Sequence, residues 1–338
     1  MDRVNQDAMM GIESRRGGDE EQSGPPPNSL PAVGSRVIHP AHHGPPHNAA
    51  GQVEPRADEA LRPPGQSRLE PDSEIRRLLK DDSLSSLAKY RWLTVGRDSN
   101  LALLHYEILM ACLAGLRGAA GVYLRSRLYR GLFRSFGRNV VIGRNVTIRH
   151  PHRIEIGDGV VVDDNVVLDG KGDQPCTIRI GAGTIIGRNS MLICKGGTID
   201  LSAHVNVSVN CTMISESSLS LGAKSLVAGH CYLCAGGNHG TDDLEIPIVD
   251  QPRASKGGIR IAEDCWLCAQ AAVFDGVTVG PHSIVAAGAV VKDSVPPYRV
   301  YGGVPARELY DRQATFQVPS AASKRRRTAA ENSASFEE

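Results

Sequence analysis

The sequence predicts a mainly β chain: a parallel solenoid of six-residue units, with a helical segment before it and disordered tails at both ends. Three observations carry this. Aliphatic residues recur every six positions from Ile142 to Val291. The segment just before them has helical spacing instead. Both ends of the chain are rich in Pro, Gly, Ser and charge, with little to bury.

Residues 1–73 contain runs such as "GPPPNSLPAVG" and "RPPGQSRLEPDSE" and are expected to be disordered. Met1–Arg16 holds no apolar run, so no secretion signal is expected. The chain has 338 residues and a net charge of +1, which gives no overall electrostatic case for nucleic acid. Its 8 cysteines are too few for a disulfide scaffold at this length, so a reduced, cytoplasmic compartment is expected.

Residues 74–136 read as helical. Leu124, Leu128, Leu132 and Phe136 fall on one stripe, and Arg125, Arg127, Arg130 and Arg134 lie off it. His105, Glu107 and Arg117 argue against a transmembrane span. Two readings of 101–136 follow: a segment docked on its own domain or on a neighbouring subunit, or a basic amphipathic surface peripheral to the inner face of a membrane.

Residues 137–311 hold the repeat, in units such as Ile142 "IGRNVT", Ile186 "IGRNSM", Leu221 "LGAKSL" and Val279 "VGPHSI". A period of six matches neither a helix nor a two-sided strand, but fits a short strand plus a turn, stacked as coils. The first position points inward, the second is often Gly and suits a turn, and the fifth is small or Val and also points inward. Residues 312–338 form a second expected tail, with the basic cluster "SKRRR".

The rhythm breaks between Leu233 and Ile261, in "LCAGGNHGTDDLEIPIVDQPRASKGGIRI". A uniform solenoid offers no pocket, and an excursion of this kind can build one. Cys231, Cys234, Cys265 and Cys268 have zinc-like spacing, but the register points Cys231 and Cys265 inward and places Cys234 and Cys268 at corners. They are read as packing residues, and no metal is expected.

The blocks "GNHGTDDLEIP", "SKGGIRIAEDCWLCAQAAVFDGVTVG", "IVAAGAVVKDSVPPY" and "GGVPAREL" resemble those of hexapeptide-repeat O-acyltransferases, especially galactoside, maltose and capsular-polysaccharide O-acetyltransferases. The resemblance implies a left-handed parallel β-helix, a homotrimer with active sites between subunits, acetyl-CoA as co-substrate and a saccharide acceptor. It implies His239 as general base in a direct transfer, with a backbone N–H stabilising the oxyanion. Asn238, Asp242 and Asp243 are candidates for binding acceptor or orienting the base, and a turn role is equally open for the two aspartates. Ala269, Ala287, Lys292 and Arg307 match positions that contact CoA. Trp266 is a family feature expected to pack. Where relatives carry "VTKD" this chain has "VVKDS", which weakens the assignment of Lys292. Serine or amino-sugar acetylation on the same fold is a further reading. So are a zinc enzyme like the γ-type carbonic anhydrases, using His204, His230 and His239, and a scaffold without activity.

Overall fold

The computed structural model describes residues 68–69, 74–173 and 175–316. The expected disordered tails lie outside these, except that Arg68–Leu69 form a short strand and Arg312–Phe316 a short helix. The repeat forms a parallel β-solenoid with three faces. The first face is a nine-stranded sheet starting at Val141–Ile142, and it ends in a hairpin, where Arg307–Asp311 pairs antiparallel with Arg299–Gly302. The second face starts at Thr147–Arg149 and the third at Ser135–Phe136, and each has seven strands.

Every first-position aliphatic from Ile142 to Val291 is at most 2% exposed. The fifth positions are buried too, apart from half-buried His152 in the irregular first coil. Several fifth positions carry hydroxyls. Ser190 Oγ donates to Ser208 O at 2.8 Å and Ser225 Oγ to Ala262 O at 2.9 Å, so these buried groups are satisfied by a neighbouring coil.

The turn chemistry differs from the sequence expectation. The left-handed residue is the fourth of most units, as at Asn145 (φ 55°), Asn189 (φ 60°) and Asn210 (φ 57°). Asn tolerates this region better than most residues. Second-position Gly serves a different need. A Cβ on Gly143 would lie 2.5 Å from the Asp163 carbonyl carbon of the next coil. Close stacking, not turn geometry, excludes side chains there.

The helical segment comprises Glu74–Lys80, Ser86–Thr94, Asn100–Leu113 and Gly118–Leu128. Ser85 and Ser99 cap the second and third helices by accepting from the N–H of Ala88 and Ala102. Leu103, Tyr106, Leu109 and Leu113 join the same core as Ile142 and Ile148, so the third helix covers the open end of the first coil. Tyr106 donates to Ile148 O at 2.8 Å. The expected division of the fourth helix is reversed at two positions: Arg125 is 2% exposed and Leu128 is 47% exposed. Arg125 turns inward because three carbonyls need donors there. It reaches Ile142 O at 2.9 Å, Leu113 O at 2.9 Å and Leu116 O at 2.7 Å, which joins the end of one helix to the first coil. The outer face of the third helix leaves Leu101, Leu104 and Ile108 exposed. Among the described residues no helix is long and apolar enough to cross a membrane.

His150 and His152 lie under this cap. His150 is fully buried, and its Nε2 donates to Trp92 O at 2.5 Å. Burial is the main cause that lowers both rings to about 4. Their folded values lie below the ordinary 6.5, so the unfolded chain binds protons first. Their contribution to stability is therefore full above pH 6.5 and is lost as pH falls toward 4. Trp92 fluorescence, read in a Trp266→Phe background, should change in this window before the β signal in circular dichroism changes. Simultaneous loss of both signals would contradict this. Arg125→Met should lower stability by roughly 3–5 kcal/mol in urea unfolding, because it strands buried carbonyls.

Candidate active site

The excursion begins where the second-face strand Tyr232–Ala235 ends, between Thr212–Ser215 on one side and Ala272–Phe274 on the other. The exit needs glycine. Gly236 has φ 118°, and a Cβ there would lie 2.6 Å from the Glu216 Cβ. Asn238–His239 then pairs antiparallel with Arg253–Ala254, which places His239 opposite Arg253. Arg68–Leu69 adds a third strand to this ribbon. The chain rejoins the solenoid at Ile259, beside Leu219 on the third face.

His239 is half-buried, and its Nδ1 is buried with no hydrogen-bond partner among the described residues. Asn238 Nδ2 donates to Asp275 Oδ2 at 2.8 Å. Asp242 and Asp243 are exposed. Asp243 Oδ1 accepts the N–H of Glu245 at 2.8 Å and of Ile246 at 3.1 Å, so its carboxylate closes a turn. The loop tip is held by Gln251, 3% exposed, whose Nε2 donates to Asp243 O at 2.7 Å and Ile246 O at 2.8 Å. Beyond this staple the tip is apolar and exposed: Leu244 is 95% and Ile248 61% exposed.

Ala269 and Ala287 lie elsewhere, at turns where the first face passes into the second. They are exposed and occupy successive coils, with Gly288 N donating to Ala269 O at 2.9 Å. The last coil continues this edge, where Val290 N donates to Gly303 O at 3.0 Å, and leads into Arg307. Small side chains leave the backbone of this edge open to a slender ligand arm. Arg307 is paired with Asp293 at 3.2 Å, so an arriving phosphate would compete with a carboxylate. Lys292 is exposed just after the last second-face strand, Val290–Val291. The excursion leaves from a different edge, where the second face passes into the third. One chain therefore does not bring His239 together with Ala269 and Ala287.

His204 and His230 are exposed at two further turns, so they and His239 occupy three different edges. Among the described residues no group of His, Cys, Asp and Glu could hold a metal ion. Cys231 and Cys265 are each 1% exposed. Cys234 is not at a corner but inside the strand Tyr232–Ala235, because second-face strands run longer here than the hexad implies. The Cys211 thiol and burial both push Cys231 upward, and burial raises Cys265 to about 11. Trp266 faces outward and is 47% exposed.

Four residues that the sequence reading passed over complete the site: Glu216, Gln251, Arg253 and Asp275. Each looks like an ordinary turn or surface residue in the sequence, and only the stacking of coils gives it a partner. Beside the returning leg, an open groove of about 910 Å³ is lined by Ser218, Ser220, Lys256, Arg260 and Thr278.

No family model matches the chain. A probable acetyltransferase of Mycobacterium tuberculosis is 26% identical over 175 residues, which is 50% of this chain and 58% of that protein. An Escherichia coli protein named for acetyl transfer in colanic acid biosynthesis is 29% identical over 191 residues, 56% of this chain and 76% of that protein. Galactoside O-acetyltransferase of Escherichia coli is 27% identical over 126 residues, 35% of this chain and 57% of that protein. The chain spans less than two thirds of the first and third of these proteins.

The staple is testable apart from any chemistry. Gln251→Ala should speed proteolytic cleavage within 241–250 severalfold and leave the unfolding midpoint of the solenoid unchanged. Equal cleavage rates would show that the tip is held by other contacts.

Proposed function

We propose that this chain, whose solenoid and relatives fit the hexapeptide-repeat acyltransferase family, moves an acetyl group from acetyl-CoA to a hydroxyl of a saccharide. The observation that carries this reading is the single long break in the solenoid with His239 on its first ribbon strand. The relatives support acetyl transfer, one of them a galactoside O-acetyltransferase and another named for colanic acid biosynthesis. The hydroxyl-lined groove beside the excursion suits a polar acceptor.

In this reading His239 is the general base. A ring nitrogen takes the acceptor's proton as the hydroxyl oxygen attacks the thioester carbonyl. The tetrahedral oxyanion is held by a backbone N–H. Collapse breaks the carbon–sulfur bond, and the leaving thiolate takes back the proton from His239. No acyl-enzyme forms. Ala269 and Ala287 line the path of the pantetheine arm, and Arg307 meets phosphate once Asp293 yields it. Lys292 is a weaker candidate on the same path.

Separation of His239 from Ala269 and Ala287 onto different edges supports a site shared between chains in a homotrimer. The exposed apolar loop tip also supports a neighbouring chain, since Leu244 and Ile248 need cover. The exposed Leu101, Leu104 and Ile108, and the exposed Arg117, Arg127 and Arg130 elsewhere on the helical segment, support an enzyme peripheral to an anionic membrane surface.

His239→Ala should reduce acetyl transfer roughly 10²–10⁴-fold with the assembly intact by light scattering. Full activity would refute the assignment. Refolding His239→Ala chains together with Arg307→Ala chains should restore part of the activity that each lacks alone. A mixture no more active than its parents would place the whole site within one chain.

A further inference from the structure

The excursion leaves the second face between two carboxylates that the reaction chemistry above does not use. Glu216 follows the strand Thr212–Ser215 in the preceding coil, and Asp275 follows Ala272–Phe274 in the next one. Asp275 is 5% exposed, and the Glu216 side chain 7%. A carboxylate removed from water needs donors.

Asp275 has three donors, and they come from both legs of the excursion. Asn238 Nδ2 reaches Oδ2 at 2.8 Å from the outgoing leg. The backbone N–H groups of Lys256, at 2.5 Å, and Gly258, at 2.8 Å, reach it from the returning leg. One side chain thus ties the two legs together. Glu216 accepts the Arg253 guanidinium at 3.1 Å, and Arg253 faces His239 across the ribbon. His239 is therefore fixed from two sides: its chain neighbour by the coil above, and its cross-strand neighbour by the coil below. The ribbon itself is only two residues long in each strand and could not set a side chain's position alone.

We propose that Asp275 is a positioning residue for acetyl transfer: it locks the Asn238–His239 strand so that the imidazole meets the acceptor hydroxyl, with Glu216 acting through Arg253 as the opposing anchor. The inference rests on the reading of His239 as base. A general base works only within hydrogen-bond reach of its proton, and a misplacement near 1 Å costs about 10²-fold. The carboxylate suits this place because it has only acceptors to offer and meets only donors. Asp275→Asn keeps the size but turns an NH₂ toward one of those N–H groups.

The test compares D275N, N238A, H239A and H239A/D275N by steady-state kinetics and by calorimetric binding of acetyl-CoA. D275N should lower kcat roughly 10²-fold, while the KM and Kd for acetyl-CoA stay within about twofold. In the H239A background, D275N should have no further effect on the residual rate, since the two act through one group. A merely structural role would lower acetyl-CoA binding alongside kcat and would reduce the H239A rate further. Either of those results, or a fully active D275N, overturns the proposal. If D275N does not fold, N238A removes one bond to the same carboxylate and must show the same kcat loss at unchanged acetyl-CoA binding; its failure to do so is equally fatal. Full activity in H239A would instead refute the base assignment, a result distinct from an inactive H239A beside a fully active D275N.

Discussion

Every coil must hydrogen-bond to the coils above and below it, and this stacking constraint shapes the rest of the protein. Parallel strands sit about 4.8 Å apart, so the backbones of successive coils lie almost in contact. The bonds from Gly143 N to Val162 O and from Gly187 N to Val207 O, both 2.7 Å, show the pattern. Inward positions then become a continuous aliphatic column. Where the second position is Gly, as at Gly143 and Gly187, the backbone of the next coil occupies the space a side chain would need. Fourth positions take left-handed backbone so that the chain can turn from one face to the next within a unit. On one edge these fourth residues form an amide ladder, Asn165 to Asn189 at 3.2 Å and Asn189 to Asn210 at 3.1 Å.

The same constraint explains what was legible in the sequence. First and fifth positions read correctly because burial selects residue type directly, and the column repeats often enough to stand out. The turn was assigned to the second position, because Gly suits both close approach and positive φ and a string of letters does not separate the two. His239 was visible because it breaks a strict rhythm and sits in recognisable blocks. Asp275 and Glu216 were not, since each meets its partner 37 residues away in the chain. Arg125 was misread for a related reason. Its amphipathic position says surface, and only the end of one helix meeting the first coil creates three carbonyls in need of a donor.

Stacked repeats also need ends, because the last coil on either side exposes its column. The two ends are closed by different means. At the first coil, the helix Asn100–Leu113 adds its own aliphatic face to the core, with Tyr106 and Arg125 bonding to coil carbonyls. At the other, the final strand doubles back as the Arg299–Asp311 hairpin, braced by Arg299 against Glu308 and Asp311 at 3.2 and 2.6 Å. The first closure contains the inward-turned His150 and His152; the second is braced by the half-buried pair Arg299 and Asp311.

The footing of the excursion separates its attachment from its content. Asp275 and Glu216 grip residues at its base, and Gln251 organises its tip, so the stretch between can lengthen, shorten or change sequence while the coils on either side keep their register. A lineage could thus revise what this loop contacts through insertions and substitutions at the tip alone, without reopening the problem of how the protein folds.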